Sequence, residues 1–192
     1  NIHKVGAIGK AGYGWKVKIV DEAHNTVARG EVGELAVSGP GVMTCYYHDE
    51  EATKEVLDNG WLYTGDMAQE DEDGFIFLVD RKKDVIISGG ENIYPVQIED
   101  FIRTNEKVHD VAVIGLKDKR LGEVAAAVIE LKEGVTMTKE EMDEYCMRLP
   151  RYKRPHEIIF ADIPRNPTGK IEKPKLRELY GASRLIADQN LS

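Results

Sequence analysis

Asp80-Arg81-Lys82-Lys83-Asp84-Val85-Ile86-Ile87-Ser88-Gly89-Gly90-Glu91-Asn92-Ile93-Tyr94-Pro95 is the stretch that decides how this chain divides. It opens on a run of charge, passes through Val85-Ile86-Ile87, and reaches the adjacent glycines Gly89-Gly90. Charge this dense does not suit the middle of a buried strand; it suits an exposed joint between two packed bodies. The glycines, with no Cβ, let the backbone bend or a ligand pass close by. Pro95 then opens a helix, since the N–H it lacks has no partner in a first helical turn anyway.

Upstream of the joint the chain reads mostly as strand. Trp15–Val20 alternates, Asp21–Asn25 is a polar turn, and Gly33–Ser38 is a second strand before the breaker Gly39-Pro40-Gly41. Asp49 caps a short helix reaching about Leu57, with Glu50 and Glu51 favourably placed in its first turn. Trp61–Tyr63 is a short strand, and Glu70–Gly74 an acidic turn into Phe75–Val79. So much strand with so little helix predicts a small barrel or sheet that leans on something beyond these residues.

Downstream, residues 85–180 read as self-sufficient. Ile98, Phe101 and Ile102 share one stripe of the helix from Pro95 to about Thr104. Val108–Leu116 and Val124–Leu131 are strands joined around Asp118-Lys119-Arg120, and Thr138-Lys139-Glu140-Glu141 is a capping box opening a second helix. Glu157–Ala161 is a third strand; a last helix starts at Lys173-Pro174 and runs through Leu179, with a frayed tail expected after Gly181. The predicted fold class is α+β: a β-rich region, then a small domain with a three-stranded sheet covered by helices.

The 192 residues allow one domain or two. No apolar run approaches the roughly 18 residues of a membrane helix, and the start is no signal peptide. The first residue is not Met, which points to a fragment or a trimmed chain. Cys45 and Cys146 have neither metal-site nor disulfide spacing, so a cytoplasmic setting is expected. The five histidines are scattered, no Ser or Cys pairs with a His as a nucleophile, and no metal site is assigned.

The net charge of −8 conceals an asymmetry: residues 1–80 hold 6 Lys/Arg against 15 Asp/Glu, and residues 81–192 hold 20 against 19. Between Arg148 and Arg177 lie nine cations and only three acids. A local basic zone on an acidic chain suits a small phosphate-bearing molecule better than a long nucleic acid; it equally describes a solvated face.

Together with Tyr63-Thr64-Gly65-Asp66 and Pro164-Arg165-Asn166-Pro167-Thr168-Gly169-Lys170, the central stretch resembles the C-terminal third of an AMP-forming acyl-CoA synthetase, of the adenylate-forming superfamily. The resemblance implies that residues 1–80 end a large adenylation domain, that 81–84 form a hinge, and that 85–192 form a lid domain. It implies ATP and CoA as co-substrates, with Mg²⁺ accompanying ATP but not ligated by residues identified here. The partners implied are a small carboxylate, a fatty acid by default, and a missing N-terminal domain holding the phosphate loop and the acyl pocket. An oligomer is possible; no nucleic acid partner is expected.

Roles follow residue by residue from that resemblance, each beside a plainer reading. Tyr63, Asp66, Arg81 and Lys170 fall to ATP and AMP, with Asp66 and Arg81 on the ribose hydroxyls. Otherwise Asp66 caps a turn that ends a strand, and Arg81 makes a surface ion pair with Asp80 or Asp84, worth little. Lys83 takes the hinge position, or is an ordinary exposed lysine. Gly89, Gly90 and Glu91 border the path of the CoA pantetheine arm, or the glycines merely turn a strand into a helix. Lys153 and Arg154, with Lys119 and Arg120 as further candidates, reach CoA phosphates, or line a solvated face. Lys170 is the catalytic residue, neutralising charge where the carboxylate attacks the α-phosphate; a Gly-Lys in a Pro-rich loop can also be idle. The segment Ser88–Ile93 favours CoA as acceptor over a carrier protein. The rival of another class is an interaction module using the basic 148–177 zone.

Overall fold

Polar turns cut residues 4–81 into strands that are too short to bury much alone and so pair into one sheet. The protein is described by a computed structural model that covers the backbone of residues 4–189 and the side chains of residues 4–181. It forms two compact units that divide between Lys83 and Asp84.

The first unit contains β1 (Ala7–Gly9), β2 (Lys16–Val20), β3 (Val32–Ser38), the helix α1 (Glu50–Val56), β4 (Leu57–Asp58), β5 (Trp61–Glu70) and β6 (Ile76–Arg81). The strands make an antiparallel sheet in the order β1-β6-β5-β3-β2, with β4 also against β5. Asp49 caps α1, its carboxylate accepting from the Ala52 N–H at 2.9 Å. Asp71 closes the β5–β6 turn by accepting from the N–H groups of Asp73 and Phe75. The core is thin: Ile19, Leu35, Ala68 and Ile76 form one cluster, and Val20, Ala36 and Tyr63 another. Val5, Ile8, Tyr13 and Tyr47 remain exposed.

The expected short strand at Trp61–Tyr63 is in fact the start of the ten-residue β5. Glu34 of β3 faces Met67, and Ala36 faces Tyr63, so the intervening β5 residues bulge out of the ladder. Gly65 supplies the turn at φ +71°, a backbone region costly for residues with a Cβ.

The second unit follows a single 3₁₀ turn, Lys82–Asp84. Its elements are β7 (Ile86–Ser88), β8 (Glu91–Ile93), α2 (Pro95–Arg103), β9 (Val108–Asp118), β10 (Gly122–Leu131), α3 (Lys139–Cys146), β11 (Glu157–Phe160) and α4 (Lys173–Gln189). The three strands expected from sequence are β9, β10 and β11; the hairpin β7–β8 raises the sheet to five. β9 and β10 pair along their length as a hairpin, whereas β11 lies parallel to β10 after the crossover through α3.

β10 shows why this unit is stable. Ala125, Ala127 and Ile129 join Ile98 and Ile102 of α2 and Met142 and Cys146 of α3 in one cluster. The alternate residues Val124, Ala126 and Val128 join Ile163, which follows β11, and Leu176 of α4 in another. A strand covered on both faces has no polar side, and its sequence is a nearly unbroken apolar run. The capping box of α3 is formed in both halves, Thr138 and Glu141 exchanging bonds with each other's backbone. α4 continues to Gln189, beyond the end expected near Leu179, and residues 190–192 lie outside the described residues.

Candidate active site

In the first unit, register brings two of the singled-out residues together. Asp66 and Arg81 are directly opposed across β5 and β6, and their side chains pair at 2.8 Å. Arg81 therefore takes neither Asp80 nor Asp84 as its side-chain partner; Asp80 is buried at the end of β6 and accepts from the Arg81 backbone N–H. The pair engages one oxygen of Asp66, Oδ1, while the carboxylate stays a quarter exposed. Tyr63, on the same strand as Asp66, is buried with Val20 and Ala36, its ring stacked on His24 at 4.0 Å between centroids.

The bulge that carries Asp66 is fixed by a residue that sequence reading passed over. Glu34 is buried; its Oε1 accepts from the Gly65 N–H at 3.0 Å and its Oε2 from Lys82 Nζ at 2.6 Å. Thr64 donates to the Leu35 carbonyl, and its hydroxyl accepts from the Asp66 N–H. A carboxylate taken out of water needs such partners. The available signal was a lone Glu inside the apolar strand Val32-Gly33-Glu34-Leu35-Ala36-Val37.

In the second unit Gly89 and Gly90 do not turn a strand into a helix. They form the two-residue tip of the β7–β8 hairpin, with φ of +58° and +87°. A tight hairpin whose central residues both have positive φ matches the sheet's twist and favours glycine at each position. The Gly89 N–H donates to the Leu121 carbonyl at 2.8 Å, and a Cβ on Gly89 would meet Leu121 Cδ2 at 3.2 Å. Beside this tip lies an open, mainly apolar groove of about 590 Å³, lined by Ile87, Lys117, Lys119, Leu121 and Gly122 among others. Glu91 is exposed on β8, and Arg120 is exposed in the β9–β10 turn.

Lys170 stands on a loop built around one side chain. Asn166 Oδ1 accepts from the Thr168 N–H, the Thr168 hydroxyl and the Lys170 N–H. The Lys170 carbonyl accepts from the Asn166 N–H at 2.9 Å, and Gly169 turns the chain at φ +83°. The Lys170 side chain is exposed and, among the described residues, makes no hydrogen bond or ion pair.

In the basic zone of residues 148–177, four of the nine cations are paired with acids, three of those acids coming from elsewhere in the chain. Arg165 pairs with Asp110, Lys173 with Glu99, Lys175 with Glu172 and Arg177 with Asp84. Arg154, a candidate for a CoA phosphate, instead donates to the carbonyls of Leu149 and Met147 at 2.9 and 2.7 Å, closing the chain just after α3. Arg148 lies over the Tyr145 ring, and Lys153 stays half-buried over Tyr152. Arg151, Lys153 and Lys170, like Arg148 and Arg154, are left without a carboxylate among the described residues. No group of three or more His, Cys, Asp or Glu gathers there as a metal site, and no described helix is long and apolar enough to cross a membrane.

Comparison with known proteins gives this arrangement its class. The AMP-binding enzyme family matches residues 1–47 and the AMP-binding enzyme C-terminal domain matches residues 97–170. A long-chain-fatty-acid–CoA ligase of Mycobacterium tuberculosis is 42% identical over 184 residues, which are 95% of this chain and 36% of that protein. An indoleacetate–CoA ligase of Aromatoleum aromaticum is 40% identical over 178 residues, covering 92% of this chain and 35% of the relative. Among solved structures, o-succinylbenzoate CoA synthetase of Bacillus subtilis in complex with its acyl-adenylate intermediate superposes with a TM-score of 0.84 at 35% identity. That match covers 92% of this chain and 36% of the other. The chain belongs to the AMP-binding, adenylate-forming enzymes and corresponds to the C-terminal part of such an enzyme. It spans about a third of the length of these relatives.

Proposed function

We propose that the protein to which this chain belongs is an ATP-dependent carboxylate–CoA ligase that forms an acyl-adenylate and then a thioester. Residues 1–80 end the adenylation domain, 81–84 are the hinge, and 85–192 are the lid. The observation that carries the reading is Lys170. It is the one described cation between Arg165 and Arg177 with no carboxylate partner, on a loop whose backbone is fixed from within. An ammonium so placed neutralises charge on the α-phosphate as the carboxylate attacks and pyrophosphate leaves, which is electrostatic stabilisation rather than proton transfer.

Asp66 has one carboxylate oxygen free of hydrogen bonds among the described residues, and Arg81 beside it keeps its donors toward solvent; together they suit a ribose diol. Tyr63 stands on the same strand β5 as Asp66. Rotation about Lys83 then withdraws Lys170 and turns the Gly89-Gly90 tip, with Glu91, toward the pantetheine arm. Lys153 remains a candidate for a CoA phosphate, with Lys119 and Arg120 as further ones, whereas the two carbonyls on Arg154 favour a structural role for it. The fragment alone lacks the acyl pocket and is not expected to turn over. A CoA acceptor is favoured over a carrier protein by the ligase names of the relatives. The pairing of Arg165, Lys173 and Arg177 with acids, on a chain of net charge −8, disfavours a nucleic-acid or interaction module.

The test is carboxylate-dependent ATP–pyrophosphate exchange on the full-length protein, with CoA then added. Exchange that drains into a thioester is expected, and the carboxylates accepted define the substrate class. Exchange that CoA leaves untouched would move the acceptor to a carrier protein. Absence of exchange with any carboxylate would end the ligase reading.

A further inference from the structure

The backbone that carries Lys170 is tied to the unit's core by side chains outside its own turn. Arg165, at the start of its loop, donates to the Gly169 carbonyl at 3.3 Å with one nitrogen and to Asp110 with another. Asp110 sits on β9, a strand of the unit's core, and its carboxylate is mostly buried. It also accepts from Arg103 Nε of α2 at 3.2 Å and from the Val111 N–H at 2.8 Å. Asp110 therefore ties the residue just before the Lys170 turn to both a strand and a helix. Beyond the turn, Lys173 is tied at 2.8 Å to Glu99, which is buried and also accepts from the Val113 N–H. Arg103 spans the two anchors, reaching Asp110 and standing 3.8 Å from Glu99.

We propose that Asp110, acting through Arg165, is a positioning residue that sets the backbone carrying Lys170. This rests on the reading of Lys170 given above, but its physical content is separate. Asn166 organises the turn from inside, and nothing inside the turn fixes where it stands on the sheet. That orientation comes from a planar guanidinium bridging two acceptors at once, a task for which Arg is suited and Lys is not. A catalytic ammonium displaced by about 1 Å loses much of its effect, so the anchor should register in the rate of adenylation.

The experiment compares Asp110→Asn, Arg165→Lys and Lys170→Ala in the full-length protein, each assayed for both half-reactions. Amide hydrogen exchange of residues 166–170 is followed in parallel. For Asp110→Asn and Arg165→Lys, exchange at the Gly169 and Lys170 amides is expected to rise about ten-fold, clearly more than at the core amides of β10. Adenylation is expected to fall about ten-fold while thioester formation from supplied acyl-adenylate is kept. Asp110→Asn added to Lys170→Ala should cost nothing further, because the anchor works only through that lysine.

Unchanged loop exchange, or an equal fall in both half-reactions, would overturn the proposal. If loop exchange rises while Lys170→Ala leaves adenylation intact, the anchor stands and it is the role of Lys170 that fails.

Discussion

Lys83 and Lys170 present the same ammonium to solvent, and neither side chain has a partner among the described residues. Their backbones are opposites. Around Lys170 the ties converge: Asn166 holds the Lys170 N–H, Arg165 holds the Gly169 carbonyl, and both Arg165 and Lys173 are anchored within the same unit. Around Lys83 the ties diverge. Lys82 is bound to Glu34 in the first unit, Asp84 to Arg177 in the second, and Lys83 is left between them. A lysine whose charge must act needs a fixed backbone; a residue about which two bodies turn needs a free one. The flanking ion pairs would confine such a turn to one residue.

Alanine at the two positions should separate these roles most sharply. Lys170→Ala is expected to lower adenylation about 10²–10³-fold, the loss typical of removing one preorganised electrostatic group. Thioester formation from supplied acyl-adenylate should be spared. Lys83→Ala should change either half-reaction by less than about three-fold, since the hinge proposed at this position would use its backbone dihedrals and not its side chain. Stopped assays of the two half-reactions read both, and a large loss with Lys83→Ala would break the contrast. Next in size is Lys83→Pro, which fixes φ and restricts Lys82 as well. Whichever half-reaction requires rotation away from the resting arrangement should fall about ten-fold or more, a barrier change above roughly 1.4 kcal/mol, with the other retained.

Asn166→Ala sharpens the Lys170 side. The substitution removes an acceptor of three hydrogen bonds inside the loop but leaves the Asp110 anchor in place. Adenylation should fall about ten-fold, because each lost bond is worth about 1 kcal/mol and the loop can partly re-solvate. Circular dichroism and the melting temperature should scarcely move, the loop being outside both core clusters. A global loss of stability would show that Asn166 supports the fold rather than the site.

Much of this was legible in the sequence because local chemistry wrote it there. Asp49 and the Thr138–Glu141 box cap helices as their spacing requires, and Ile98 and Ile102 face the core as their period requires. What could not be read depends on residues distant in sequence meeting in register. Glu34 grips Lys82 across 48 positions, and Asp110 grips Arg165 across 55. For the same reason nine cations in a row of thirty residues looked like a basic face, when Asp84, Glu99 and Asp110 fold back to cancel three of them. The Gly89-Gly90 turn was visible as a turn, but not as a hairpin, since Ile86-Ile87-Ser88 and Glu91-Asn92-Ile93 are too short to show alternation.

The smallest expected effect is one of pH, and it separates the anchored loop from the joint. Partial burial pushes the Asp110 carboxyl upward, but Arg165, the Val111 N–H and Arg103 outweigh it and hold the group below the ordinary carboxylate value of 3.8. A folded-state pKa below the unfolded one stabilises the fold above the unfolded value, and that stability is lost as pH falls through the folded value. Asp110→Asn should therefore destabilise the second unit at pH 7 by about 1 kcal/mol for a group still in contact with solvent, read as a modest fall in its melting temperature. The difference from wild type should persist down to pH 5 and shrink as the acid limb is entered below about pH 4. Lys83→Ala should show no such pH-dependent difference, since the side chain it removes is tied to no carboxylate. Melting curves of the two variants from pH 7 to pH 3 make the comparison. A constant Asp110→Asn deficit across that range would mean that the carboxylate's charge contributes nothing to holding Arg165, leaving only the shape of the side chain to set the loop.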